Sequence, residues 1–280
     1  MLSAANPPPD ITTYDLEFFG HDAPGSFGAT APFQLFTPSL LAAVRNAIEY
    51  VPEHAHHFTP PLAPHTIRNA TAHSPFLDSL FNSEELTAFL SKVASAPLRP
   101  HPMGVERAHV NVASPPTGSL SSSTPVFNWH TDSQPLVLIV MLADVPSNAE
   151  GGETFVKTAA GDVLKLRFPA AGYAYLLKGS VLSHAAMPAT NYRRVSMVTS
   201  YVFEDVMADD ETSLTLARQY SKPAIEGDYA RYKLARVREK LGVIISNNMG
   251  DEAGVEVDAL EVEVDKIIED LKRTVANLKK

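Results

Sequence analysis

The feature that most constrains the fold is a change of sequence period near residue 104. From there to about residue 203 the chain becomes a series of short, strand-like runs. They fall at 126–132, 136–142, 153–158, 163–168, 172–177 and 195–203, and an earlier run, 106–113, alternates. In that run Arg107, His109 and Asn111 share one face, while Ala108, Val110 and Val112 share the other. Turn residues separate the runs: Gly151-Gly152, Gly161-Asp162, Gly179 and Asn191. Short strands at regular spacing, with no long helix between them, predict an antiparallel sandwich or barrel.

The flanks read differently. Prolines, 22 in all, crowd the first half, which predicts short helices joined by extended segments over 1–103. A helix is expected over 38–50, with Leu40, Leu41, Val44 and Ile48 on one face and Thr37 as its N-cap. A second is expected over 83–94. After residue 204 the chain turns helical again, with one or two helices over 209–242 and Pro223 as an interruption. Residues 258–280 form an amphipathic helix with Leu260, Val264, Ile267, Ile268, Leu271, Val275 and Leu278 on one stripe. The expected organisation is one α+β domain: an N-terminal region (1–103), a β core (104–203) and a C-terminal helical extension (204–280). The last helix is expected to pack on the core, with a homodimer through it as the alternative.

Composition bounds the chemistry. The chain has 280 residues, no cysteine and ten histidines. Disulfides, thiolate-bound zinc, iron–sulfur clusters and a thiolate nucleophile are excluded, so a transition metal here needs nitrogen and oxygen ligands. The net charge of -9 argues against nucleic-acid phosphates or an anionic membrane as partners. No apolar run reaches the roughly 18 residues of a membrane span. The first residues lack the basic and apolar regions of a secretory signal, so a cytoplasmic location is expected.

One constellation carries chemistry. His130 and Asp132 lie two apart in a strand and so project to one face. His184 follows 52 positions after Asp132, a separation that an antiparallel barrel can return to the same place. Two histidines and one carboxylate on one face of an octahedron leave open positions, the arrangement suited to non-haem Fe(II). A lone His-x-Asp is common and usually carries no function; the conjunction is what gives it weight. Arg194 and Ser196 then share a strand face, offering a guanidinium fork and a hydroxyl to a carboxylate. Arg193 reads as a surface residue, and Trp129 as core. His54, His56 and His57 read as a solvated loop rather than a second metal site. The run from Gly151 to Thr154 is a turn into a strand and lacks what a phosphate loop needs. The serine-rich segment 119–123 is either a lid or a plain connection.

On His130-Thr131-Asp132, His184 and Arg194-Val195-Ser196, the sequence resembles the Fe(II)/2-oxoglutarate-dependent oxygenases, whose fold is a double-stranded β-helix, or jelly roll. The flanking Phe127-Asn128-Trp129, Gly151-Gly152-Glu153-Thr154 and Gly179 agree with it. It is most similar to a fungal branch linked to specialised metabolism. The resemblance covers about 104–203. It implies that His130, Asp132 and His184 bind Fe(II), and that Arg194 and Ser196 anchor the 5-carboxylate of 2-oxoglutarate. The co-substrates would be 2-oxoglutarate and O2, with succinate and CO2 released as a small molecule is hydroxylated, desaturated or cyclised. An amino acid or a specialised metabolite is the expected substrate. Related enzymes carry a tyrosine-containing motif on an earlier strand; here that strand holds His109 and Asn111, so Asn111 is expected at the co-substrate and His109, Asn128 and Gln134 at the substrate. The alternatives are a protein or peptide hydroxylase or demethylase of the same chemistry, and a cupin-like non-redox metal protein. The latter expects a different ligand set and leaves Arg194 and Ser196 unexplained.

Overall fold

The structure is a computed structural model. It describes residues 11–57, 65–115, 125–214, 222–248 and 256–280. The serine-rich segment 119–123 lies outside them. The chain forms two compact units, Met1–Val202 and Phe203–Lys280.

The first unit opens with β1 (Thr13–Asp15), β2 (Phe27–Thr30), β3 (Phe33–Gln34), α1 (Pro38–Glu49), β4 (His56–His57) and β5 (His65–Ile67). Then come α2 (Ala70–His73), α3 (Pro75–Phe81), α4 (Glu84–Val93) and β6 (Leu98–Pro100). The remaining strands are β7 (His109–Ala113), β8 (Phe127–His130), β9 (Leu136–Met141), β10 (Thr154–Lys157), β11 (Val163–Leu166), β12 (Tyr173–Leu177), β13 (His184–Ala186) and β14 (Arg194–Phe203). Helix starts follow their capping chemistry. Thr37 accepts from the Leu40 amide with Pro38 in the first turn, and Ser74 and Ser83 cap α3 and α4 in the same way.

Two antiparallel sheets face each other. The larger has the order β1-β2-β12-β9-β14-β7-β5-β4, with β3 and β6 pairing on β12 and β14. The smaller has the order β11-β10-β13-β8. This is a double-stranded β-helix with helices at both ends of the chain. The core lies between the sheets: Val137, Ile139, Met141, Tyr175, Leu177 and Val198 of the larger meet Val156, Leu166 and Phe168 on the side of the smaller. All six residues of β9 are buried. A strand covered on both faces reads as a continuous apolar run, which is why it does not alternate. Arg45 ties α1 to the end of β9, donating from Nε to the Leu142 carbonyl at 2.6 Å.

Several expectations need correcting. The strands β1 to β5 join the larger sheet, although the region reads as helices and extended segments. They have two to four residues each, too few for a period to register. Alternation does not extend back to Arg107, because Ala108 has φ 51° and turns the chain there. Arg107 instead donates to Asn82 Oδ1 at 2.8 Å, at the end of α3. Trp129 is 40% exposed rather than in the core, with Lys157 Nζ 5.0 Å from its ring centroid.

The second unit contains α5 (Lys222–Asn248) and α6 (Val257–Lys279). Pro223 is not a break between two helices; it lies in the first described turn of α5, which then runs unbroken. Val237 and Ile244 of α5 pack with Ile267 of α6, and Lys240 pairs with Asp270 at 2.5 Å. Lys233 and Asp210 form a buried ion pair at 2.9 Å.

Candidate metal centre

His130 is the last residue of β8, and His184 is the first of β13. The register pairs them directly, and His184 also pairs with Val156 of β10. Their ring centroids are 4.4 Å apart. Asp132 lies just beyond β8, where its amide donates to the Gly179 carbonyl at 2.8 Å. That bond turns its carboxylate back onto the histidines. Oδ1 is 3.6 Å from His130 Nε2, and Oδ2 is 3.5 Å from His184 Nε2. One donor atom from each of the three residues lies within 4.8 Å of the other two.

The backbone sets the tautomers. His130 Nδ1 is 2.6 Å from the Asn128 carbonyl, and His184 Nδ1 is 2.8 Å from that of Leu182. A carbonyl only accepts, so each Nδ1 carries a hydrogen, which leaves Nε2, the atom beside the Asp132 carboxylate, as the ring nitrogen able to bind a metal. Electrostatics agree with a cation-binding cluster. Burial would raise the Asp132 pKa, but the charge of His184, hydrogen bonds from both imidazoles and the charge of His130 hold it well below the carboxylate range. Burial would lower that of His184, yet Asp132 raises it. Two imidazole nitrogens and one carboxylate, with no thiolate in the chain, suit a borderline divalent ion such as Fe(II).

The structure also brings a buried guanidinium and a hydroxyl together, Arg194 and Ser196. Arg194 is buried; its Nε donates to the Gly152 carbonyl at 3.2 Å and its Nη1 to Ser196 Oγ at 2.9 Å. The Phe168 ring centroid is 6.0 Å from the guanidinium carbon. Tyr175 lies nearby, and its hydroxyl shares a hydrogen bond with Thr154 at 2.6 Å. Burial raises the Tyr175 pKa, opposed by the charge of Arg194. Arg193 is exposed.

Register places the other candidates. Ser196 pairs with Asn111, Val198 with His109 and Thr66 with Asn111, so Thr66, His109, Asn111 and Ser196 line one face of the larger sheet. His109 Nδ1, Asn111 Oδ1, Thr66 Oγ1 and Gln134 Nε2 are buried atoms with no hydrogen-bond partner among the described residues. Burial and the charge of Arg68 keep the His109 pKa well below its ordinary value, so the ring is neutral. Glu106, also buried, has its carboxyl raised by desolvation and lies 4.0 Å from Arg68. Asn128 is exposed, and the structure does not bring it into this wall.

Sequence reading missed Thr66, Arg68, Glu106, Tyr175 and the role of Gly179. A Cβ on Gly179 would sit 2.8 Å from Asp132 Cγ and 2.9 Å from its Cβ, and closer still to the carboxylate oxygen. A glycine opposite a ligand strand was the available signal. Thr66 lay outside the recognisable core, and only the pairing of its strand with β7 brings it in, with Arg68 just past the strand's end.

Fold and site together define a double-stranded β-helix protein with a His-x-Asp…His cluster. No protein-family model and no curated protein matches the chain. Similar solved structures include an oxidoreductase of the 2OG-Fe(II) oxygenase family from Burkholderia pseudomallei. It is 16% identical, the match covers 59% of this chain and 79% of that one, and the TM-score is 0.46. The non-heme alpha ketoglutarate dependent epimerase SnoN from nogalamycin biosynthesis is 20% identical over 58% of this chain and 71% of its own, with a TM-score of 0.42. HygX from Streptomyces hygroscopicus, solved with nickel and 2-oxoglutarate bound, is 14% identical over 64% and 84%, with a TM-score of 0.46.

Proposed function

We propose that this protein is an Fe(II)- and 2-oxoglutarate-dependent oxygenase acting on a polar small molecule. The observation that carries the reading is the cluster itself: one donor atom from each of two imidazoles and one carboxylate within 4.8 Å, with each Nδ1 bonded to a backbone carbonyl so that Nε2 is the metal-facing atom. His130, Asp132 and His184 hold the metal. Bound there, Fe(II) with 2-oxoglutarate and O2 supplies the oxidising power that converts 2-oxoglutarate to succinate and CO2 while the substrate is oxidised.

The protein's own groups bind and orient. Arg194 and Ser196 take the distal carboxylate of 2-oxoglutarate, and the Gly152 carbonyl and Phe168 ring hold the guanidinium in place. Asn111, on the same face, takes a polar group of the co-substrate. His109, Thr66 and Gln134 offer buried polar atoms to the substrate. Leaving such an atom unpaired costs about 1–3 kcal/mol, so a ligand that pairs it binds preferentially. The neutral His109 ring can donate or accept without adding charge beside Asp132. Hydroxylation, desaturation and cyclisation use the same binding groups, and the substrate's geometry selects among them.

The test is anaerobic calorimetry of 2-oxoglutarate binding to metal-loaded and metal-free protein. Binding is expected only with metal present, and at least about thirtyfold weaker without Arg194. Equal binding to metal-free protein, or none to metal-loaded protein, overturns the proposal.

A further inference from the structure

The helical unit mixes polar with apolar residues at its internal contact and leaves further apolar residues outside it. Where α5 and α6 meet, the buried positions include Lys240, Asp270, Thr274 and Asn277, whereas several of the largest apolar side chains face outward. Leu234, Leu241 and Ile245 of α5 are 54%, 43% and 54% exposed. Val257, Val264, Ile268 and Val275 of α6 are 68%, 38%, 41% and 48% exposed. Both sets recur at intervals of seven and four, the spacing of a continuous helical stripe.

The two stripes fall on the same side of the hairpin. At 3.6 residues per turn, the exposed α5 stripe lies about 90° around the helix from the line Val237, Lys240, Ile244 that meets α6. On α6 the exposed stripe lies about 110° from the line Ile267, Asp270, Thr274, in the same rotational sense. The helices are antiparallel, because only eight residues join them and Lys240 meets Asp270 while Ile244 packs near Ile267. In an antiparallel pair, equal rotations in one sense bring both stripes to one face. That face is an apolar strip along two helices, the last about 35 Å long. Over the ~27–30 Å of each helix that overlap when the pairs centre near residues 240 and 270, two helix widths give a footprint of about 600 Å² per copy, the low end of a stable interface.

We infer that this face pairs with the same face of a second copy, forming a four-helix bundle about a two-fold axis perpendicular to the helices. Two independent features choose this occupant and this orientation. First, one axis serves both helices. The midpoint of Leu234 and Ile245 falls at residue position ~240, and that of Val264 and Val275 at ~270, the two positions joined by the Lys240–Asp270 pair; Val257, at the start of α6, overhangs the paired region. A single rotation there lays Leu234 against Ile245 of the second copy and Val264 against Val275. Second, the charges beside the α6 stripe are complementary under that rotation. Glu261 and Asp265 edge its first half, and Lys272 and Lys279 edge its second half. An antiparallel α6 pair sets each acidic half against the other copy's basic half, whereas a parallel pair sets like against like. This assembly is independent of the proposed chemistry.

The full-length protein tests it, and the cysteine-free chain makes the test specific. Light scattering coupled to size exclusion at micromolar concentration should read the mass of two chains. L241E with I268E should read one chain with unchanged helical circular dichroism, since both positions are exposed. E261K with D265K should weaken the dimer at least tenfold, and adding K272E and K279E should restore it. A short bismaleimide should cross-link I268C, which lies near the axis. It should not cross-link V257C, whose two copies would lie about 38 Å apart along the bundle. A one-chain mass for the unmodified protein, failure of the charge reversal to restore pairing, or cross-linking of V257C overturns the inference.

Discussion

Gly179→Ala is expected to damage the metal site while leaving the fold standing. Gly179 does not have a positive φ, so alanine meets no backbone strain there. The consequence is local: a Cβ would sit 2.8 Å from Asp132 Cγ and 2.9 Å from Asp132 Cβ. Both approaches are shorter than van der Waals contact. Because Cβ as well as the carboxylate is involved, rotating the side chain is not enough. The segment at Asp132 must shift, and the bond from its amide to the Gly179 carbonyl, 2.8 Å long, is stretched or lost. Losing that bond costs about 1 kcal/mol. In a unit of this size that lowers Tm by roughly 2–4 °C. The metal suffers more. Changing a group that orients a ligand typically lowers metal affinity about 10–100-fold, equivalent to about 1.4–2.7 kcal/mol. Anaerobic calorimetric titration with Fe(II), beside a thermal melt, separates the two effects. A metal affinity within twofold of the unmodified protein would refute the reasoning, because Asp132 would then not depend on the space that Gly179 leaves.

Two further outcomes are expected. Arg194→Ala should raise the half-saturating concentration of 2-oxoglutarate by at least about thirtyfold, since truncating one partner of a buried charge pair costs about 2–5 kcal/mol. Arg193→Ala, at an exposed neighbour, should leave that concentration unchanged in the same steady-state assay. In the helical unit, Lys233→Met leaves the buried Asp210 carboxylate without its 2.9 Å partner, with Arg236 3.9 Å away. Breaking a buried pair costs about 3–5 kcal/mol, measurable as an earlier loss of helical signal in urea.

The parts of the fold that could be read from sequence are those with a strong local signal. The runs at 136–142 and 195–203 are long and apolar, and they became β9 and β14, adjacent strands of the larger sheet. Thr37 announces α1 because capping is decided within four residues. His130 and Asp132 stand out because their spacing matches the strand period. What could not be read is what long-range pairing decides. Thr66 has no local feature that marks it, yet its pairing with Asn111 puts it on the site face. Gly179 looks like an ordinary turn glycine until Asp132 is folded against it. The Arg107 side chain departs from its apparent face because a single positive φ at Ala108 resets the alternation. Trp129 belongs by composition to a core, but β8 lies in the smaller sheet and turns it outward beside Lys157. The apolar stripe of α6 was visible, but not that α5 would cover its polar flank and leave much of the apolar side exposed.

The central claim is that His130, Asp132 and His184 hold the metal that consumes 2-oxoglutarate. Its most direct measurement is Fe(II)-dependent release of succinate from 2-oxoglutarate in air, by mass spectrometry, for the unmodified protein and for His130→Ala and Asp132→Ala. The account predicts metal-dependent succinate from the unmodified protein and only the enzyme-free background from both variants. Succinate release at the unmodified rate in both variants would contradict it.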